Sequence, residues 1–274
     1  MAEPLDVAAR LAEGRPAVAN TQEYVWACHL LGYQNPDLTL HGAQVRDWYS
    51  SEDGLDLRAL DADRAALAAM AAATENALQL QEQQLGALAG AWQGRGGEAS
   101  REFLLRHGQT SAAAAASVRT VVDALTALRD DLWHRVDEKV TAAVAIDDRR
   151  QTERAEWLAA AQTVATGAGD RAVASELVDQ QVKPFVDNDI RADWLSAMKS
   201  AMASVAAAFD AATAALTAEP ATVFEVPGDL GPSGTPPVSG PASVEPAGTT
   251  SPAASMSPAP APSPITAEAP AVPA

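Results

Sequence analysis

Eight positions between Leu60 and Trp92, namely Leu67, Ala71, Thr74, Leu78, Gln81, Leu85, Leu88 and Trp92, recur at steps of four and three residues. That is the period of a helix with one face set aside for packing. No proline interrupts the stretch, and Gly86 is its first glycine. Such a face has to be buried against something. Beyond a cluster of Gly94, Gly96 and Gly97, the residues Val118, Val122, Leu125, Leu132 and Val136 resume the same style. The glycines mark a reversal, so the pattern predicts two long antiparallel helices joined by a short turn.

The remaining segments read as helical too. Nothing breaks the second helix before Gly167-Ala168-Gly169, so it is expected to run past Val140 through Trp157, with those glycines as a C-cap or hinge. A further helix from Asp170 should stop at Pro184, which lacks a backbone donor and disfavours helix in the residue before it. Asp189 or a neighbour then caps a last helix through Trp194, Met198, Val205, Phe209 and Leu216. Residues 1–54 differ in texture, being aromatic-rich. Asn20 and Glu23 resemble a capping box for a short helix to Leu31, followed by a turn at Gly32–Asp37 and a second short helix over His41–Tyr49. This segment is expected to lie against the ends or flank of the bundle, being too small to support much of a core alone. Apolar alternation at period two is missing, so the fold class is all-α.

Composition bounds the body. Residues 220–274 hold fourteen prolines, one phenylalanine and no lysine or arginine, which cannot bury enough apolar surface to offset chain entropy. A disordered, proline-rich tail is expected there. The domain reading is therefore residues 1–54, a hairpin over 55–146, further bundle helices over 147–219, and the tail. Formal charge is −17, with only four of the negatives on the tail. An acidic body opposes binding to nucleic acid and to anionic membrane surfaces. The start, MAEPLDVAARLAEG, has no basic end followed by an apolar run, and no unbroken run of ~18–20 apolar residues occurs. The expectation is no cleavable signal peptide and no integral membrane span.

Trp92-Gln93-Gly94, placed between two amphipathic helices of nearly equal length, resembles the WxG-motif helical hairpins of type VII (ESX) secretion substrates. The alanine-rich chain from Asn20 to Leu104 is also similar to alanine-rich ESX secretion-associated proteins. The resemblance implies that Trp92 and Gly94 make the hairpin turn and that the hairpin pairs with another to form a four-helix bundle. It also implies a Tyr-x-x-x-Asp/Glu export signal after the second helix. Here the chain departs from the family: Trp133 and Asp137 stand about where that tyrosine and acid would fall, forty-one residues after Trp92. Residues i and i+4 share a helix face, so Trp133 and Asp137 are the candidate signal, although the phenol is lost. Tyr33 with Asp37, and Tyr49 with Asp53, match the spacing but precede the hairpin. They read better as turn residues with a packed aromatic.

Chemistry finds little purchase. Cys28 and His29 are adjacent, so on a helix they diverge by about 100° and do not form a nucleophile–base pair. Cys28 is the only cysteine, which excludes an intramolecular disulfide. His29, His41, His107 and His134 lack metal spacing, and Asp53, Asp56, Asp61 and Asp63 do not make a calcium loop. The aspartates suit the positive end of the first hairpin helix instead. No cofactor, no metal and no catalytic residue are assigned. Trp26, Trp48, Trp157 and Trp194 read as core anchors unless exposed.

The function expected from this reading is non-enzymatic. It is that of a type VII secretion substrate or secretion-associated protein, cytoplasmic before export and then secreted or envelope-associated. Its partner would be a helical protein, a secretion chaperone or the export ATPase, with a homo-oligomer or heterodimer possible. Two other functions fit the same residues. One is a delivery module for an effector or toxin domain not present in the chain. The other is a cytoplasmic adaptor whose proline-rich tail offers docking sites.

Overall fold

The computed structural model describes residues 2–219 and 221–225, and the described residues are all-α with no strand among them. Most of the tail expected over 220–274 lies outside the described residues; 221–225 are irregular. The described helices belong to one compact unit.

Helix α1 spans Val7–Leu30 and begins thirteen residues before the expected start at Asn20. Asp6 caps it, its carboxylate accepting the Ala9 N–H at 2.9 Å. The helix passes through Gly14 and Pro16 because Val7, Leu11, Val18, Tyr24, Val25 and Cys28 bury one face along its length. Gly14 serves packing: a Cβ there would meet the Tyr49 hydroxyl at 2.1 Å. That hydroxyl donates to the Leu11 carbonyl at 2.9 Å. Asn20 is no cap; it sits mid-helix and donates to the Asp147 carboxylate at 3.0 Å. Helix α1 packs along both α4 and α5, as defined below.

Helix α2 covers Gln44–Tyr49 and leads through a tight turn at Ser50–Glu52 into α3, Leu57–Ala91. Asp56 is the N-cap of α3, accepting from the Ala59 N–H at 2.9 Å. Asp61 sits in the second turn, paired with Arg64 and Arg129. Helix α4 runs Arg95–Asp148, 54 residues, or about 81 Å at 1.5 Å per residue. The hairpin is thus formed by α3 and α4, with its turn at Trp92–Gly94.

Helix α4 stops at Asp148, earlier than expected. The chain turns over Arg149–Glu153 and folds back as α5, Arg154–Thr166. Arg154 fastens the turn, donating to Asp147 at 2.8 Å and to Asp148 at 2.7 Å. The return buries Trp157 against Tyr24, edge-on at 5.8 Å, and against Phe185 at 5.6 Å. No local breaker marks this turn, because what decides it is burial of Trp157. Gly167, with φ +73°, caps α5 in the left-handed conformation as its sequence position predicts.

The last helix, α6, is continuous over Arg171–Ala218. Pro184 does not end it, and Asp189 caps nothing. The backbone widens into π-helical turns at Val178–Val182 and Val186–Trp194 on either side of Lys183–Phe185. A shift to i→i+5 bonding absorbs the missing proline N–H, and Val178, Val182, Phe185, Val186, Ile190 and Trp194 stay buried throughout. From there α6 runs antiparallel to α4. Arg149 pairs with Asp189 and Asp193 near one end, and Arg106 pairs with Glu225 beyond the other.

Candidate protein-docking hairpin

The reversal between α3 and α4 is built from a tryptophan lying on glycines. Trp92 leaves α3 in an extended conformation, its N–H closing the helix on the Leu88 carbonyl at 3.0 Å. Gly94 follows at φ +93° and ψ 177°, a region closed to residues with a Cβ, and its carbonyl receives the Glu98 N–H at 3.0 Å to open α4. Gly97 is buried beneath Trp92: a Cβ there would fall 2.6 Å from the Trp92 carbonyl oxygen and 3.3 Å from the ring. At Gly96 the nearest ring atom would be at an ordinary 3.7 Å. Of the three glycines, Gly94 turns the chain and Gly97 admits the tryptophan.

Trp92 nevertheless remains 50% exposed. Near it on the same arm Leu80 and Leu105 are 57% and 52% exposed. Gln81, Leu85, Leu88, Ala91 and Leu104 line a groove of about 340 Å³ beside them. Gln81 spans its floor, donating to the Leu104 carbonyl at 3.0 Å. Large apolar groups half in water around a shallow groove suit a protein partner better than a small molecule.

The candidate signal residues lie elsewhere, in the lower half of α4. Trp133 is half-buried against the core, while Asp137 accepts from Arg10 Nε of α1 at 2.8 Å. His134 and Glu138 form an exposed pair beside them. Trp133 and Asp137 stand one helical turn apart, and of the two it is Asp137 that is tied to α1, through Arg10. Tyr33 is buried, and Asp37 accepts from Lys199 at 2.7 Å. Tyr49 is fully buried, and Asp53 lies near Arg15 on the surface. Both tyrosines are packed side chains, Tyr33 just after α1 and Tyr49 as the last residue of α2.

Sequence reasoning missed the polar groups that hold this half of α4. Lys139 is fully buried and pairs with Glu52; its ammonium also donates to the Ser51 hydroxyl at 2.8 Å and the Trp48 carbonyl at 3.0 Å. Burial pushes the Lys139 pKa down, and Glu52 opposes this. Asp147, buried with Asn20 and Arg154 as partners, has its pKa raised by desolvation. The partners stand 87 and 127 residues apart in sequence, so no local pattern reveals them.

Cys28 is buried, and its thiol is pushed up to about 12 by desolvation, which keeps it a protonated packing group. Among the described residues no group of three His, Cys, Asp or Glu side chains is placed to hold a metal ion. Helices α4 and α6 each contain an 18-residue stretch, of mean hydropathy 1.2 and 1.4, apolar enough by composition to cross a membrane. A search for unbroken apolar runs passes over both, because alanines interspersed with polar residues carry the hydropathy. Protein-family models, curated proteins and solved structures return no match to this chain.

Proposed function

We propose that this protein is a non-enzymatic type VII secretion substrate or secretion-associated protein that acts through helix–helix docking of the α3–α4 hairpin. The observation that supports the reading is Trp92, seated on Gly97 at the hairpin turn yet half in water, with Leu80, Leu105 and a groove alongside. A turn needing only a staple would bury its aromatic; a surface awaiting a helical partner keeps it accessible. Trp133 and Asp137 are the proposed export signal, with Trp133 in the place of the tyrosine that the family resemblance implies.

The test is the ratio of protein in culture filtrate to lysate, in cells with an active or an inactivated type VII ATPase. Wild type, Trp92→Ala and Trp133→Tyr are compared, with helicity of each purified variant as the folding control. ATPase-dependent export, reduced at least tenfold by Trp92→Ala and preserved by Trp133→Tyr, is the expected result. Export or retention indifferent to the ATPase overturns the proposal in favour of a cytoplasmic adaptor.

A further inference from the structure

Where α4 turns back into α5, a cleft of about 260 Å³ lies between that turn and the π-helical part of α6. The Arg150 guanidinium lies over two buried rings there, 5.8 Å from the centroid of Trp157 and 5.6 Å from that of Phe185. Stacking holds this arginine in place of an ion pair. Its Nε is buried without an acceptor, and among the described residues no carboxylate pairs with it. Glu153 lines the same cleft and is likewise unpaired among the described residues. Arg10 with Glu13, and Arg135 with Glu138, have the same Arg-x-x-Glu spacing inside helices and do form ion pairs. Arg150 and Glu153 sit in the turn, where the stacked guanidinium is kept from its neighbour. The other carboxylates nearby are matched, Asp189 by Arg149, and Asp147 and Asp148 by Arg154.

An unmatched cation and an unmatched anion on one small cleft suit a ligand that carries both charges. We infer that the cleft binds a free α-amino acid, with its carboxylate on the Arg150 guanidinium and its ammonium on Glu153. A guanidinium held by stacking keeps its in-plane N–H groups for a carboxylate, which matches their fork geometry. Gln181 is oriented to assist: its Oε1 accepts from the Trp157 indole N–H at 3.1 Å, which leaves its NH₂ group as a donor. Asn188 adds a second amide to the lining. Gln181 and Asn188 stand on the π-helical turns Val178–Val182 and Val186–Trp194, one on each side of Pro184. Turns of this kind recur at functional sites, because the widened backbone departs from the regular spacing of side chains. Charge selects the zwitterion. A chain of net −17 with Glu153 at the cleft opposes a simple anion, and Arg150 opposes a simple cation. The volume lies below the roughly 300 Å³ at which pockets for larger ligands begin, so the amino acid has a small side chain. The inference depends neither on hairpin docking nor on export.

The experiment titrates the full chain at neutral pH with alanine and, separately, with acetate and ethylamine, which carry one charge each. Calorimetry gives the affinity, and the tryptophan indole N–H signals in nuclear magnetic resonance give the location. Alanine should bind with a Kd on the order of 1 mM, as befits so few atoms. Acetate and ethylamine should each bind at least tenfold more weakly. The Trp157 indole signal should shift with alanine while that of Trp48, outside the cleft, stays in place. Glu153→Gln should weaken alanine binding at least tenfold with helicity and melting temperature unchanged, since Glu153 has no partner in the fold to lose. Arg150→Lys keeps the charge but not the fork, and should weaken binding several-fold. No heat and no shift with alanine at tens of millimolar overturns the inference. Acetate binding as well as alanine, with Glu153→Gln inert, makes the cleft a plain anion site and overturns it too. So does binding that survives both substitutions, which places the ligand elsewhere.

Discussion

Helix α4 passes through two regions built on different principles. From Arg58 to Thr126, across the α3–α4 arm, only Ala71, Gly97 and Ala115 are buried. From Leu128 onward, Leu132, Val136, Lys139, Val140, Ala143 and Ile146 are all buried against the rest of the body. The lower region is a core in the ordinary sense, holding Trp194, Tyr24 and Tyr49 fully buried. The arm is two helices meeting along one seam, with few buried side chains to support it. An element with so few buried apolar groups is expected to open locally at lower free energy than the core.

The largest effects belong to the core. Trp194→Ala should cost about 3–5 kcal/mol in denaturant unfolding, since it empties a fully buried site. Lys139→Ala should cost a similar amount, about 3–5 kcal/mol, by leaving Glu52 buried without its cation. A loss below about 1 kcal/mol in both would dissolve the distinction between core and arm.

Alkaline pH tests the same region without mutation. Burial pushes the Tyr24 and Tyr49 phenols up to about 12, against about 10 in an unfolded chain. Between those values the folded state holds more protons. Stability is therefore fully present below pH ~10 and falls as pH rises toward 12, by on the order of 1 kcal/mol per pH unit for each phenol. Phenolate absorbance should appear together with loss of helicity. Gradual ionisation in the folded protein would show that the core is more open than its packing indicates.

In the arm the effects should be smaller and local. Gly94→Ala should cost about 1–3 kcal/mol, because φ +93° with ψ 177° excludes a Cβ. Hydrogen exchange should lose protection around Leu85–Leu105 while Leu132–Ile146 keeps it. Gly96→Ala is the paired control, expected to be neutral or stabilising by up to about 1 kcal/mol, since its Cβ meets only an ordinary contact. Smallest of all, Trp92→Ala should change global stability by about 1 kcal/mol, in keeping with a half-exposed ring. A loss of about 4 kcal/mol would instead make Trp92 a structural staple and remove the support for docking.

The sequence by itself determined the features that depend on neighbours along the chain. The four–three seam from Leu67 to Leu88 names the less exposed positions of α3, Gly94 marks the reversal, and Gly167 marks a helix end, because period and backbone freedom are local properties. Tertiary structure decided what depends on distant groups. It started α1 at Val7 rather than Asn20, folded the chain back at Arg149 to bury Trp157, and carried α6 through Pro184 in π-helical turns. It also joined Lys139 to Glu52 and Asp147 to Asn20, and it left Trp92 rather than Trp194 in water. In each case the energy of burying a side chain against a segment far away in sequence outweighed a local preference of about 1–3 kcal/mol, and such energies have no signature within a single helical turn.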